Sequence, residues 1–167
     1  SIAKRLQEIY SVVGLPWDWV EYPLVTILVS TFRLERILSV IESLDMQSYP
    51  NKEVVIVINS NAGVPDFCVE LERARPDIRF FAVPRDRYTG HCLKLGFSVA
   101  RGDLVLKVDD DDFYGRHYVT DMVLAQRAVD ADIFGKPPCY VCFEGDDALY
   151  ARKRGLNEDV VFEASQL

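Results

Sequence analysis

The 167-residue chain has about the length of one domain, and its 49% hydrophobic fraction is that of a globular protein, not a disordered one. A net charge of −7 argues against a broad footprint on a phosphate backbone, so nucleic acid is not an expected partner. No apolar run approaches the ~20 residues needed to cross a bilayer, so no transmembrane segment is expected.

The chain opens Ser-Ile-Ala-Lys-Arg, without an initiator Met or an apolar signal core. Nothing there directs secretion, and a trimmed chain or a piece of something longer is expected. Helical spacing over residues 1 to about 14 places Ile2, Leu6, Ile9, Tyr10 and Val13 on one stripe, stopped by Gly14 and Pro16. Trp17 to Pro23 is an aromatic linker, so residues 1–22 are expected to be a helix plus a connector.

Strands and helices then alternate. Leu24 to Ser30 is an apolar, β-branched strand, followed by a helix from about Leu34 to Met46 with Ile37, Leu38, Ile41 and Leu44 inward. Glu53 to Asn59 is a second strand, Val64 to Arg75 a helix, and Asp77 to Val83 a third strand. His91 to Ala100 is a helix carrying Leu93, Leu95, Phe97 and Val99, and Leu104 to Val108 is a fourth strand. Arg116 to Val129 is another helix, and Asp132 to Gly135 begins a further strand. Such alternation with short connections predicts a mostly parallel sheet with right-handed crossovers. Strands apolar on both faces predict helices on both sides, a three-layer α/β/α fold. From Lys136 onward the pattern changes to a small hairpin, Tyr140–Phe143 with Ala148–Arg152, and a last strand at Val160 to Phe162.

Cys68, Cys92, Cys139 and Cys142 include one C-x-x-C but no second pair with zinc-site spacing. Reduced structural thiols in a cytoplasmic protein are expected instead. His91 and His117 have no partner arrangement that points to catalysis.

The fourth strand runs directly into four consecutive aspartates, Asp109 to Asp112. If strand alternation continues, Asp109 and Asp111 point one way and Asp110 and Asp112 the other. Two like-facing carboxylates ~6–7 Å apart repel by roughly 2–3 kcal/mol at an effective dielectric near 20. A hard divalent cation removes that penalty and takes oxygen ligands. A solvated acidic turn is the plainer reading, but open α/β sheets bind ligands where such strands end.

The order of these elements and their punctuation resembles the nucleotide-sugar half of the family-2 glycosyltransferases, of the fold called GT-A. The resemblance rests on Val25 to Arg33, on Ser43 to Pro50 (Ser-Leu-Asp-Met-Gln-Ser-Tyr-Pro), and on the second strand. It also rests on Gly90, Lys94, Gly96, Ala100, Gly102, Asp103 and the aspartates, the family's Asp-x-Asp-Asp. It covers roughly residues 23–135, implied to be the nucleotide-sugar-binding domain. Residues 136–167 would be the hairpin and the truncated start of an acceptor-side region.

The resemblance implies transfer of a glycosyl group from a nucleotide-diphosphate sugar, UDP-linked by preference, to an unidentified acceptor by an inverting displacement. It places Ser30, Thr31, Phe32 and Arg33 beside base and ribose, Asp109 and Asp110 near ribose and diphosphate, and Gly90 and Lys94 in the same donor site. Asp111, with Asp109, is implied as ligand to Mn2+ or Mg2+, with Asp112 behind them. Arg85, Arg87 and Lys94 could add positive charge near the diphosphate, or be ordinary surface charges.

The chain departs from the family pattern in three places. Asn59 stands where an acidic residue usually grips the base, and Lys94 stands where Asn is usual. The acceptor half that holds the general base is short. Glu158 and Asp159 are the candidate base pair, although a β-branched run follows them where a helix is expected. Two other classes stay open: a non-catalytic nucleotide-sugar-binding module or domain of a larger enzyme, and a phosphoacceptor switch. The first strand ends in Ser-Thr-Phe-Arg, not in acids, and this disfavours the switch.

Overall fold

The computed structural model describes residues 2–14, 22–128, 132–133, 135, 140–142, 145, 148–151 and 160–163. The chain divides into two compact units, Ser1–Ala128 and Val129–Leu167.

In the first unit, α1 spans Ile2–Val12, and four parallel strands follow: β1 (Val25–Thr31), β2 (Lys52–Asn59), β3 (Ile78–Val83) and β4 (Leu104–Val108). Their order across the sheet is β3-β2-β1-β4. Between them lie α2 (Ile37–Asp45, entered through a 3-10 turn at Leu34–Arg36), α3 (Asp66–Ala74) and α4 (Thr89–Val99), and α5 (Tyr118–Ala128) comes after β4. The expected three-layer α/β/α arrangement is what forms. Val25, Ile27 and Val29 of β1 face Ile37, Val40, Ile41 and Leu44 of α2 and Val119 and Val123 of α5. On the other face, Leu28, Val55 and Val57 pack with Cys92, Leu93 and Leu95 of α4.

Helix faces depart from expectation on three helices. Leu38 is exposed, and Val40 takes its inward place in α2. In α4 the residues Leu93, Leu95, Phe97 and Val99 repeat every two positions, so a helix cannot turn them all inward. Cys92 and Gly96, four apart, are buried instead, and Phe97 is exposed. On α1, Ile9 and Val13 of the expected stripe are exposed.

Two glycines permit close approaches to β1. A Cβ on Gly96 would stand 2.2 Å from Cδ1 of buried Leu28, so α4 approaches β1 only because that atom is missing. A Cβ on Gly102 would stand 2.5 Å from the backbone nitrogen of Thr26. Asp103 follows and accepts the Leu24 N–H at 2.9 Å, tying the entrance of β4 to β1. Beneath these, the nearly buried Glu53 carboxylate accepts from the Thr26 hydroxyl (2.6 Å), the Arg101 N–H (2.8 Å) and Nη2 of Arg79 (3.0 Å). A buried charge needs such partners.

In the second unit the hairpin strands and the last strand join as one three-stranded antiparallel sheet. β5 (Tyr140–Cys142) pairs with β6 (Ala148–Ala151), and β6 pairs with β7 (Val160–Glu163). Asp132 and Ile133, expected to begin a strand, form a bend with Ile133 exposed. The linker at 15–21, Cys139, the basic turn at 152–155 and the base candidates Glu158 and Asp159 lie outside the described residues. Among the described residues, no helix is long and apolar enough to cross a membrane.

Candidate functional site

β1 is flanked by β2 on one side and β4 on the other, so the chain direction across the sheet reverses between β1 and β4. Crevices at the carboxyl ends of such strands are where open α/β sheets place ligands. Pairing of Val29 with Val108 brings the two residues beyond each, Thr31 and Asp110, to the same level.

There the Thr31 hydroxyl donates to Asp110 and accepts the Arg33 N–H at 2.9 Å. Arg33 reaches across the same gap. Its Nε donates to Asp110 Oδ2 at 3.0 Å, and Nη2 donates to Asp110 Oδ1 at 2.5 Å and to Asp111 Oδ2 at 2.8 Å. The Asp110 side chain is only 6% exposed, that of Asp111 is 50% exposed and that of Arg33 27%. A two-pronged guanidinium contact is the geometry that makes a nearly buried carboxylate tolerable. The hydrogen bonds to Asp110 and then Asp111 hold Arg33 above its ordinary pKa, and the same bond from Arg33 holds Asp111 below its own.

The strand ends at Val108, so the expected alternation of aspartates does not continue. Asp110 and Asp111 share one cation, while Asp109 turns to Lys107 Nζ at 2.5 Å. The Asp109 N–H donates to Tyr114 Oη at 2.9 Å, and that hydroxyl lies 3.4 Å from Asp112 Oδ2. Burial pushes Tyr114 well above its ordinary pKa, so it stays a hydroxyl that can both accept and donate.

Gln47, from the Gln-Ser-Tyr-Pro run after α2, sits beneath this turn. It donates to the carbonyls of Tyr114 and Gly115 and accepts the Val119 N–H at the start of α5. The Ser48 N–H donates to the Arg116 carbonyl at 2.8 Å, and the Ser48 hydroxyl meets His117 Nδ1 at 2.8 Å, so His117 is part of the brace. Gln47 and Tyr114 were not among the residues expected at the site. The Gln-Ser-Tyr-Pro motif carried the signal for the first, but its reach to residue 119 appears only in the fold.

Of the other expected residues, Phe32 is exposed beside the cluster. The guanidinium carbons of Arg33 and Arg85 lie 5.4 and 5.7 Å from its ring centroid. Ser30 is half-buried at the end of β1. Asn59 Nδ2 lies 3.0 and 3.2 Å from the carbonyls of Pro84 and Arg87, so its donor side closes the loop that carries Arg85. Gly90 and Lys94 are exposed on α4, and neither bonds to the aspartates among the described residues.

Among the described residues no three His, Cys, Asp or Glu side chains converge as a ready metal cage. The donor set still fits a hard cation. Asp109 and Asp111 offer exposed carboxylate oxygens, one or two carboxylates plus substrate phosphates suffice for Mg2+-type sites, and a guanidinium already stands in as the positive charge.

Residues 26–157 match the model of Glycosyl transferase family 2. EpsH of Bacillus subtilis (strain 168), designated a glycosyltransferase, is 30% identical over 129 residues, covering 70% of this chain and 37% of EpsH. The chain therefore spans little more than a third of that relative. The structure of Staphylococcus aureus TarS residues 1–349 superposes with a TM-score of 0.54 at 20% identity, covering 69% of this chain and 38% of that one. The mannosyltransferase PcManGT of Pyrobaculum calidifontis, solved in complex with GDP-Man and Mn2+, superposes with a TM-score of 0.56 at 23% identity, covering 77% of this chain and 41% of its own. At those identities the likeness is one of fold. The resemblance drawn from the strand ends, the Gln-Ser-Tyr-Pro run and the aspartates is borne out by the family match.

Proposed function

The chain belongs to glycosyl transferase family 2, and from that premise we propose that it forms the donor side of an enzyme that transfers a glycosyl group from a nucleotide-diphosphate sugar. The observation that carries the reading is the junction of Thr31, Arg33, Asp110 and Asp111 at the point where strand order reverses. In this reading residues 23–135 bind the donor, residues 1–22 are a helix and connector, and residues 136–167 begin the acceptor side.

The nucleotide base lies beside Phe32 and Asn59. With its donor side committed to the 84–87 loop, Asn59 presents Oδ1 as an acceptor for a ring N–H, which uracil supplies. Guanine presents a similar N–H, and GDP-Man is the ligand of the mannosyltransferase that shares this fold. UDP is preferred, and GDP is the alternative to test. Ser30 and Thr31 border the ribose, while Gly90, Lys94 and Arg85 line the diphosphate side.

Asp111, with Asp109, would hold a divalent cation, Mn2+ or Mg2+, which when bound supplies charge neutralisation to the diphosphate. The reaction is an inverting displacement. An acceptor hydroxyl oxygen bonds to the anomeric carbon as the bond from that carbon to the diphosphate oxygen breaks, and the hydroxyl proton passes to a carboxylate base. Glu158 and Asp159 are the candidates for that base.

The test is calorimetric titration of UDP and GDP into the chain with and without Mn2+, repeated with Asp111→Asn. Binding that needs Mn2+ in the wild type and falls about tenfold or more in the variant supports the reading. Affinity indifferent to both the cation and the substitution would overturn it.

A further inference from the structure

The acid cluster already holds a cation of its own. Arg33 spends Nε and Nη2 on Asp110 and the same Nη2 on Asp111, whose half-exposed carboxylate is also the one assigned to the divalent ion. Two positive groups cannot both draw full benefit from one carboxylate oxygen, because each repels the other at a separation of a few ångströms. Arg33 lies in the short stretch between β1 and the 3-10 turn at Leu34–Arg36, with a side chain still partly in solvent. It can therefore leave without disturbing a strand. If it leaves, Asp110 keeps the Thr31 hydroxyl, so the carboxylate that is almost out of water is not orphaned. The Phe32 ring beside the guanidinium offers it a second resting face.

We infer that Arg33 couples the cation to the nucleotide: it is parked on Asp110 and Asp111 in the ligand-free protein, opposes binding of a divalent cation alone, and moves onto diphosphate oxygens when the nucleotide arrives. The inference rests on the donor-site reading above. It adds that Arg33 recognises the diphosphate, rather than bordering only base and ribose. A guanidinium fork suits either partner, since carboxylate and phosphate present the same paired oxygens. Coupling of this kind is reciprocal: the factor by which Mn2+ raises diphosphate affinity equals the factor by which the diphosphate raises Mn2+ affinity.

The experiment titrates Mn2+ alone, followed by the electron paramagnetic resonance signal of the free ion, into wild type, Arg33→Gln and Arg33→Lys. Titrations of UDP and of GDP are then made at fixed Mn2+. In Arg33→Gln, Mn2+ alone is expected to bind about tenfold tighter and the Mn2+–diphosphate pair about tenfold weaker, so that the coupling factor collapses. Arg33→Lys keeps the charge but not the fork, and is expected to fall between the two. It also serves as the second variant should Arg33→Gln fail to fold. Equal affinity for Mn2+ alone in all three proteins overturns the parked state of Arg33 and leaves the donor site standing. Failure of wild type to bind UDP or GDP with Mn2+ overturns the donor-site reading, and with it the transfer of Arg33 to the diphosphate.

Discussion

The side-chain amide of Gln47 donates to the carbonyl of Gly115 at 3.0 Å, joining the end of α2 to the turn that follows the aspartates, 68 residues on. The same side chain reaches the Tyr114 carbonyl and the Val119 N–H, one of the first-turn donors that a helix cannot satisfy itself. Gln47→Leu keeps the volume and orphans these groups. A loss of about 2–4 kcal/mol is expected from urea unfolding. Diphosphate affinity in the presence of Mn2+ should weaken as well, since the loop bearing Asp109 to Asp112 loses its floor. An unchanged unfolding midpoint would show that the brace is dispensable.

The two packing glycines should differ in cost. At Gly102 an added methyl meets backbone atoms of Thr26 and Leu24, which cannot move without shifting β1. At Gly96 it meets the Leu28 side chain, which can change rotamer only within a full core. Gly102→Ala is expected to cost about 3 kcal/mol or more and Gly96→Ala about 1–3 kcal/mol. Thermal unfolding of both variants checks the order.

Acid should weaken the other end of the sheet through Glu53. Burial alone would raise the Glu53 carboxyl, but the Thr26 hydroxyl, the Arg101 N–H and Arg79 outweigh it and hold it below its ordinary value of 4.5. In the acid range the unfolded chain therefore takes up this proton more readily than the folded one. The stabilisation is complete above pH 4.5 and is lost as the pH falls through the lower folded value. Glu53→Gln should flatten the acid limb of a stability–pH curve below pH 4.5. If wild type and variant keep the same slope there, Glu53 is not the group responsible.

Cys68 should be inert while the protein is folded. Burial pushes its thiol up to about 11, so little thiolate exists near neutral pH. Iodoacetamide at pH 8, read by peptide mass spectrometry, is expected to leave Cys68 unmodified until denaturant is added.

The sheet was legible because each strand is a short, mostly apolar run bounded by turn residues, and β1 to β4 form within a residue or two of expectation. Faces were less legible. Leu38 and Val40 are equally apolar, and only the angle at which α2 meets β1 decides which one is buried. The aspartates marked the site, but their orientation did not follow from strand alternation, because the strand stops at Val108. The link between Arg33 and Asp110 spans 77 residues and no local pattern encodes it. It emerges once β1 and β4 are known to be neighbours in register.

That register also orders events during synthesis. β1 emerges early and pairs with β2 on one side, but its other edge waits for β4, made more than 70 residues later. Until then the nascent chain carries a central strand with a bare row of amides and carbonyls, open to any extended segment that passes. β4 covers that row and takes over as the edge, and the same docking delivers Asp110 to Arg33, so the acid cluster is complete only once β1 has become an interior strand.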